Sequence, residues 1–97
     1  MARYDFNKLL AKSQTLIKGI KEKKFTSHKF ILLLAKKHQC DYIEVLVAYK
    51  DGKQPFAAAH LGLSKSLRNV PGVKFVGETM STDIFGDKQK CAEWVKI

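Results

Sequence analysis

The stretch from Cys40 to Ile97 constrains the fold most, because three patterns follow one another there without a gap. A helical pattern comes first, then a second helical pattern led by proline, and last a stretch in which apolar and polar residues alternate. Pro55 suits the first turn of a helix, where its missing N–H would have had no intrahelical partner. Asn69 followed by Pro71-Gly72 ends that helix. The order predicts two short helices followed by a β-hairpin.

The proline-led helix is predicted to run from about Pro55 to Arg68 and to carry two unlike faces. Its apolar face contains Phe56, Leu63 and Leu67, together with His60 or Ala59. The opposite face is small and basic, and it contains Ala57, Ala58, Leu61, Ser64, Lys65 and Arg68. Small side chains on that face would allow another molecule to approach the helix backbone closely.

Three further helices are expected before Pro55. The first is predicted from about Asp5 to Lys21, with Asp5 as its N-cap, and the second begins at Thr26 or Ser27. The third has Asp41 in the position of a capping-box residue and Gly52 at its end, in the left-handed conformation.

The charged run Lys21–Lys24 interrupts the helical pattern between the first two helices. We interpret it as a connector that extends briefly at Lys24-Phe25, and as the best candidate for a hinge.

The C-terminal part predicts a hairpin. Val73, Phe75 and Gly77 alternate with Lys74, Val76 and Glu78, and the run from Cys91 to Ile97 supplies a second strand. The link from about Met80 to Gln89 exceeds a usual hairpin loop, so we expect a mobile tip. Trp94 is expected to close the core, with stacking on a base as the alternative.

The net charge of the chain indicates which classes of partner it attracts. The 97-residue chain carries 18 Lys and Arg against 9 Asp and Glu, which gives a net charge of +9. Such a field attracts polyanions, in the order nucleic acid, anionic membrane, acidic protein, unless the charge serves solubility alone. The longest apolar run, Phe30 to Ala35, is far shorter than the ~20 residues that cross a bilayer. No membrane-spanning segment is therefore expected.

Length predicts a single domain of 97 residues, in which residues 1–24 form an N-terminal helix and connector and residues 25–97 form the rest. No secretory signal pattern opens the chain, so Cys40 and Cys91 are predicted to be reduced thiols. The expected location is the cytoplasm, with association to the nucleoid if the protein binds DNA.

The order of three short helices and a hairpin over Thr26–Ile97 resembles the winged helix-turn-helix family. The resemblance implies a mainly α fold with a C-terminal β-hairpin, in which the helix Pro55–Arg68 enters the DNA major groove and Val73–Ile97 forms the wing. The chain departs from the family at Gln39-Cys40, which leave almost no room for the small strand between the first two helices. The helix at Asp5–Lys21 has no fixed counterpart in the family.

The resemblance and the exposed face together predict nine DNA contacts. On the helix they are Ala57, Ala58, His60, Leu61, Ser64, Lys65 and Arg68, and on the wing they are Lys88 and Lys90. Lys65 and Arg68 are suited to guanine or phosphate, Ser64 to phosphate, and Leu61 or an alanine methyl to the thymine methyl. The plain alternative is that alanines favour helices and that basic residues favour a helix C-terminus.

Catalysis has little support in the sequence. His28, His38 and His60 with Cys40 and Cys91 form no CxxC, no HExxH and no paired zinc-ligand spacing. The glycines form neither a dinucleotide fingerprint nor a phosphate-binding loop. We therefore expect no enzyme, no metal site and no cofactor.

The predicted function is binding of double-stranded DNA by a small transcriptional regulator or an accessory factor of a mobile element. The alternative is a protein-interaction module, an adaptor or inhibitor whose basic surface blocks an acidic or nucleic-acid-binding site on a larger partner. Structured RNA comes third, because the chain has no aromatic-rich sheet motif and no GxxG clamp. A homodimer is expected through the N-terminal helix, if the core does not use its apolar face.

Overall fold

The computed structural model describes residues 4–97, which form four α-helices and a three-stranded antiparallel sheet. A 3₁₀ turn at Phe6–Leu9 leads into α1, and a second 3₁₀ turn at Leu67–Asn69 follows α4. The elements are α1 (Leu10–Lys18), β1 (Lys24–Thr26), α2 (Ser27–Lys37), α3 (Gln39–Ala48), α4 (Pro55–Ser66), β2 (Val73–Thr82) and β3 (Lys88–Lys96).

The third strand of the sheet comes from the connector. The strand order is β1-β3-β2, and Phe25 of β1 lies opposite Trp94 of β3. The extension predicted at Lys24-Phe25 is thus confirmed, and it is fixed in the sheet, so the connector is not a hinge at this point. The strand precedes α2, and α2 and α3 are joined directly through His38.

A β-bulge interrupts the alternation that the sequence predicts for β2. Phe75 lies opposite Trp94 and Gly77 lies opposite the next residue, Glu93, so Val76 is the extra residue of the bulge. Because residues directly opposite each other share a face of the sheet, the bulge places Glu78, opposite Ala92, on the same face as Phe75. Strict alternation had put these two side chains on opposite faces.

The prediction of a long mobile tip is wrong, because the pairing of β2 with β3 continues as far as Thr82 opposite Lys88. Only residues 83–87 form the turn. The Asp83 carboxylate accepts hydrogen bonds from the backbone N–H groups of Phe85 and Asp87, at 2.9 and 3.0 Å. Gly86 has φ +88°, a conformation that side chains disfavour.

The N-terminal helix is shorter than the predicted Asp5–Lys21. Asp5 caps the 3₁₀ turn that precedes α1, since its carboxylate accepts from the N–H of Asn7 at 3.1 Å. The helix ends at Lys18, and the chain then turns so that the Ile20 side chain is buried, while its carbonyl accepts from the Lys96 ammonium group. The apolar residues Leu9, Leu16, Ile17 and Ile20 all lie in the core. The condition for a dimer through this apolar face is therefore not met.

Gly62 allows the 3₁₀ turn to contact α4 closely. A Cβ built at Gly62 would lie 2.6 Å from Cζ of Phe6 and 3.2 Å from the hydroxyl oxygen of Tyr49. Glycine at this position therefore lets the Phe6 ring pack against the backbone of α4.

The ends of α2 and α3 confirm one predicted cap and correct two other predictions. Thr26 caps α2, accepting from the N–H of Lys29 at 3.2 Å. Asp41 does not cap α3, because the helix begins two residues earlier at Gln39, and its carboxylate pairs instead with the Lys12 ammonium at 2.6 Å. Gly52 does not end α3, which stops at Ala48, and its φ is not positive.

Helix α4 agrees closely with the prediction. It begins with Pro55 in its first turn and ends at Ser66, two residues before the predicted end, where the 3₁₀ turn takes over. Ala59, Leu63 and Leu67 are buried as expected. Phe56 is the exception, since 45% of its side chain is exposed.

Trp94 lies at the centre of the core, 1% exposed. Its indole N–H donates to the Ser27 hydroxyl oxygen at 2.9 Å, and that hydroxyl also bonds the Ser64 hydroxyl at 2.6 Å. The Phe75 ring contacts the indole edge-on, with centroids 5.5 Å apart. The expectation that Trp94 closes the core is confirmed.

Replacing Trp94 with Ala should lower the free energy of unfolding by about 3–5 kcal/mol, because the change leaves a large cavity and removes the donor to Ser27. W94F should cost less, since it keeps most of the apolar volume. Chemical denaturation followed by circular dichroism measures both. V76A, at an exposed position on the adjacent strand, is the matched control, with an expected change within about 0.5 kcal/mol. Equal stability of W94A and V76A would contradict the central role of Trp94.

Candidate nucleic-acid interface

A groove of about 950 Å³ lies between α4 and the hairpin, with the start of α2 contributing to its wall. We call it the α4–hairpin groove. Most of the predicted contacts line it, namely Ala57, His60, Leu61, Ser64, Lys65, Arg68 and Lys90. Ala58 and Lys88 do not line it: Ala58 is half-buried on α4, and Lys88 is exposed at the start of β3. The structure thus brings together seven of nine predicted residues.

One row of exposed side chains runs along α4. Ala57, Leu61 and Lys65 are exposed and lie four residues apart on one side of α4, and exposed Arg68, in the 3₁₀ turn after the helix, continues the row. Leu61 is 56% exposed although it is apolar. The row therefore combines one small, one apolar and two cationic side chains.

Ser64 is already engaged within the protein. Its hydroxyl bonds Ser27, which in turn accepts from the Trp94 indole. From the sequence, the Ser64 hydroxyl was expected to be free to donate to phosphate. Its partner is 37 residues away in the chain, so sequence spacing gave no sign of the contact. Ser64 therefore links α4 to the core, and its contact with phosphate stays a prediction.

His60 is likewise engaged. Its Nε2 atom lies 2.6 Å from the Tyr42 hydroxyl oxygen, and its ring stacks with Phe85 at a centroid distance of 6.2 Å. Burial raises the pKa of Tyr42, so the phenol stays protonated at neutral pH and either group can donate, depending on the histidine tautomer. His60 thus joins α3, α4 and the hairpin tip, and its contact with DNA stays a prediction.

Electrostatics favour the neutral form of His60. Burial lowers the pKa of its imidazole, repulsion from His28 adds to the lowering, and Asp83 acts against it. His28 also lines the groove, and its Nδ1 atom is buried without a hydrogen-bond partner among residues 4–97.

Three phenylalanines in the groove were not predicted as site residues. Phe56 and Phe85 meet edge-to-face at 5.0 Å, and Phe75 lies 5.8 Å from the guanidinium carbon of Arg68. Each ring is about half exposed. The sequence held one sign of this cluster: Phe85 stands between Asp83 and Gly86 in a turn, where a large apolar side chain has little core to enter.

The cations of the groove outnumber its anions. Lys53, Lys65, Arg68 and Lys90 face Glu78 and Asp83. Within the described residues the Lys12–Asp41 pair, on another side of the molecule, is the one salt bridge. The four groove cations thus have no ion-pair partner in the described part of the chain, and they can attract an external anion.

Other site classes have little basis in residues 4–97. No group of three or more His, Cys, Asp or Glu side chains there is placed to hold a metal ion. Cys40 and Cys91 are free thiols. Among the described helices, none has the length and apolar character needed to cross a membrane.

A pH dependence of stability follows from the lowered pKa of His60. The unfolded chain holds this histidine at its ordinary pKa of about 6.5, so it binds the proton before the folded chain does as pH falls. The stability that neutral His60 provides is therefore full above about pH 6.5 and is lost as pH falls through the lowered folded-state pKa.

Wild type should lose more stability than H60Q when thermal unfolding is compared at about pH 7.5 and about pH 5. H38Q controls for removal of a histidine outside the groove. Identical pH profiles for wild type and H60Q would show that His60 does not contribute to this dependence.

Comparison with known protein families, with curated proteins and with solved structures finds no match to this chain. The function must therefore be inferred from the residues themselves. The features that bear on it are the exposed row of α4, the aromatic cluster and the unpaired cations, all of which border the same groove.

Proposed function

We propose that the protein binds double-stranded DNA, with α4 as the helix that enters the major groove and the β2–β3 hairpin as the wing. The observation that carries the proposal is the exposed row Ala57, Leu61, Lys65 and Arg68. A helix reads base edges when its backbone comes near the groove floor, and a small residue at Ala57 permits that approach.

The order of elements supports the assignment. A winged helix-turn-helix has a small strand after its first helix, and here β1 follows α1 and pairs with β3. On this alignment α1 takes the place of the family's first helix, and α2, α3 and α4 follow the strand, one helix more than expected. This alignment differs from the one based on sequence, which began the family's helices at Thr26. In both alignments α4 is the last helix before the hairpin.

The cations on the helix side and those on the hairpin make different contacts with DNA. Lys65 of α4 and Arg68 of the 3₁₀ turn after it lie three residues apart and line the same groove, so both can reach the same stretch of DNA. Arginine forms bidentate bonds with guanine or phosphate, and lysine contacts phosphate as a point charge. Lys90 and Lys88 add phosphate contacts from the hairpin. Glu78, Asp83 and Asp87 reduce the positive field there, so α4 is the principal contact.

His60 and Ser64 act indirectly in this scheme. Their polar atoms bond Tyr42 and Ser27, so they hold the orientation of α4 instead of contacting the nucleic acid. A small protein that binds DNA in this way suits a transcriptional regulator or an accessory factor of a mobile element.

The first test of the proposal is salt dependence. Binding through about 4–6 phosphates should make log K fall with log salt at a slope of about −4 to −5, because each contact releases counterions. Fluorescence anisotropy with a random duplex measures the slope from about 50 mM salt upward. Absence of binding at the lowest salt would overturn the proposal, and a protein partner would then account for exposed Leu61 and Phe85.

The second test separates α4 from general charge. The double change K65A and R68A should leave the melting temperature nearly unchanged, since both side chains are exposed, and should weaken binding by about 1–3 kcal/mol. The matched control is the pair K29A and K37A, which removes two exposed charges that line a separate depression between α1 and α2. Equal loss from both pairs would indicate a diffuse field without a major-groove helix.

A further inference from the structure

The α4–hairpin groove has a chemical character that a contact to paired DNA does not explain. Its aromatic residues Phe56, Phe75 and Phe85 are 45%, 43% and 56% exposed, although apolar rings of this size normally gain by burial. In an intact duplex the faces of the bases are hidden by stacking, and the grooves present only base edges and phosphates. The thymine methyl is the apolar group that the major groove offers, so the flat faces of the rings have no stacking partner on paired DNA.

Phe85 is held in a defined position at the hairpin tip. The His60 ring is stacked beside it with centroids 6.2 Å apart, and the Phe56 ring stands perpendicular to it with centroids 5.0 Å apart. The Asp83 carboxylate fixes its backbone N–H. With two ring neighbours, a fixed backbone N–H and 56% of the residue exposed, Phe85 is preorganised and accessible to a ligand.

Phe75 forms a second aromatic surface further along the groove. Its ring edge packs against Trp94 at 5.5 Å, and the Arg68 guanidinium lies 5.8 Å from its centroid. Planar guanidinium groups and aromatic rings both stack on nucleobases. The Arg68–Phe75 pair thus combines a stacking surface with a positive charge.

The charges determine which ligand fits these rings. Lys53, Lys65, Arg68 and Lys90 line the same groove as the aromatic residues, against two carboxylates. Aromatic rings in a cationic groove are the combination that binds unpaired nucleic acid, since bases stack while lysines and arginines follow the phosphates. The volume of about 950 Å³ is at the upper end of the range of about 300–1,000 Å³ found for sites that hold small molecules, so an unpaired nucleoside has room to enter.

We propose that the α4–hairpin groove binds unpaired nucleotides, with Phe85 and the Arg68–Phe75 pair as stacking surfaces for bases. The inference rests on the proposed DNA binding and specifies its substrate: DNA in which a few bases are unpaired next to a duplex. The duplex lies against α4, and the unpaired strand passes between α4 and the hairpin.

The test uses three labelled probes of the same sequence: a fully paired duplex, a duplex with about six unpaired central bases, and the single strand. Anisotropy titrations at one salt concentration give the three affinities. The partly unpaired duplex should bind about tenfold more tightly than the paired one, because stacking contributes on that scale for each base.

Variants of Phe85 test stacking directly. F85A and F85L should both reduce the preference for the partly unpaired duplex severalfold, with the remainder due to the Arg68–Phe75 pair, and the affinity for the paired duplex should change little. Leucine keeps apolar volume and lacks a flat ring, so F85L separates stacking from simple burial. M80A is the matched control, because Met80 is a 61% exposed apolar residue of the same hairpin that does not line the groove. Melting curves verify that each variant folds.

The outcomes distinguish the two proposals. Binding of the paired duplex without preference for unpaired bases overturns this inference and leaves the proposed function standing. A preference that is undiminished in F85L also overturns it, because apolar contact would then suffice. Binding of the single strand without any binding of the paired duplex supports the groove assignment and overturns the major-groove function. Failure of all three probes at low salt overturns both, and the exposed rings would then mark a protein contact.

Discussion

The indole of Trp94 is the contact on which the rest of the structure depends. Trp94 is on β3, the middle strand of the sheet, and it lies opposite Phe25 of β1 on one side and Phe75 of β2 on the other. Its N–H reaches Ser27 at the start of α2, and the same hydroxyl reaches Ser64 of α4. A chain of two hydrogen bonds thereby fixes the distance between the hairpin and α4. Ser27, Ser64 and Trp94 all line the groove, so the core and the candidate site depend on the same interaction.

Hydrogen bonds hold one side of α4 against the core, and the opposite side of the helix is exposed. Ser64 and His60 hold α4 to α2 and α3, and they leave the row from Ala57 to Arg68 facing outward. Glycine at position 62 lets Phe6 pack against the remaining side of the helix. Helix α4 is thus supported by neighbours that do not share its exposed face, which preorganises the cations before any ligand arrives.

Local rules explain what the sequence predicted well. The Thr26 cap, the proline start of α4, its buried Leu63 and the extension at Lys24-Phe25 all depend on residues that are close in the chain. The predictions that failed concern residues whose partners lie far away in the chain. The register of β3 creates the bulge at Val76 and carries the ladder past Met80, and the direct α2–α3 join removes Asp41 from the cap position. The partners of Ser64 and His60 are Ser27 and Tyr42, 37 and 18 residues away. No spacing in the sequence reveals such pairs.

The bulge at Val76 also affects how this protein can change by insertion and deletion. Substituting the exposed Val76 side chain alters little, and even removing the residue leaves the other pairs of the ladder in place. Phe75 opposite Trp94, Gly77 opposite Glu93 and Glu78 opposite Ala92 would then be successive pairs of a regular ladder. Phe75 would keep its face of the sheet, and the hairpin tip would keep its register with β3. A one-codon deletion at Val76 therefore leaves both halves of the groove in place, a tolerance that the paired residues of the hairpin do not share.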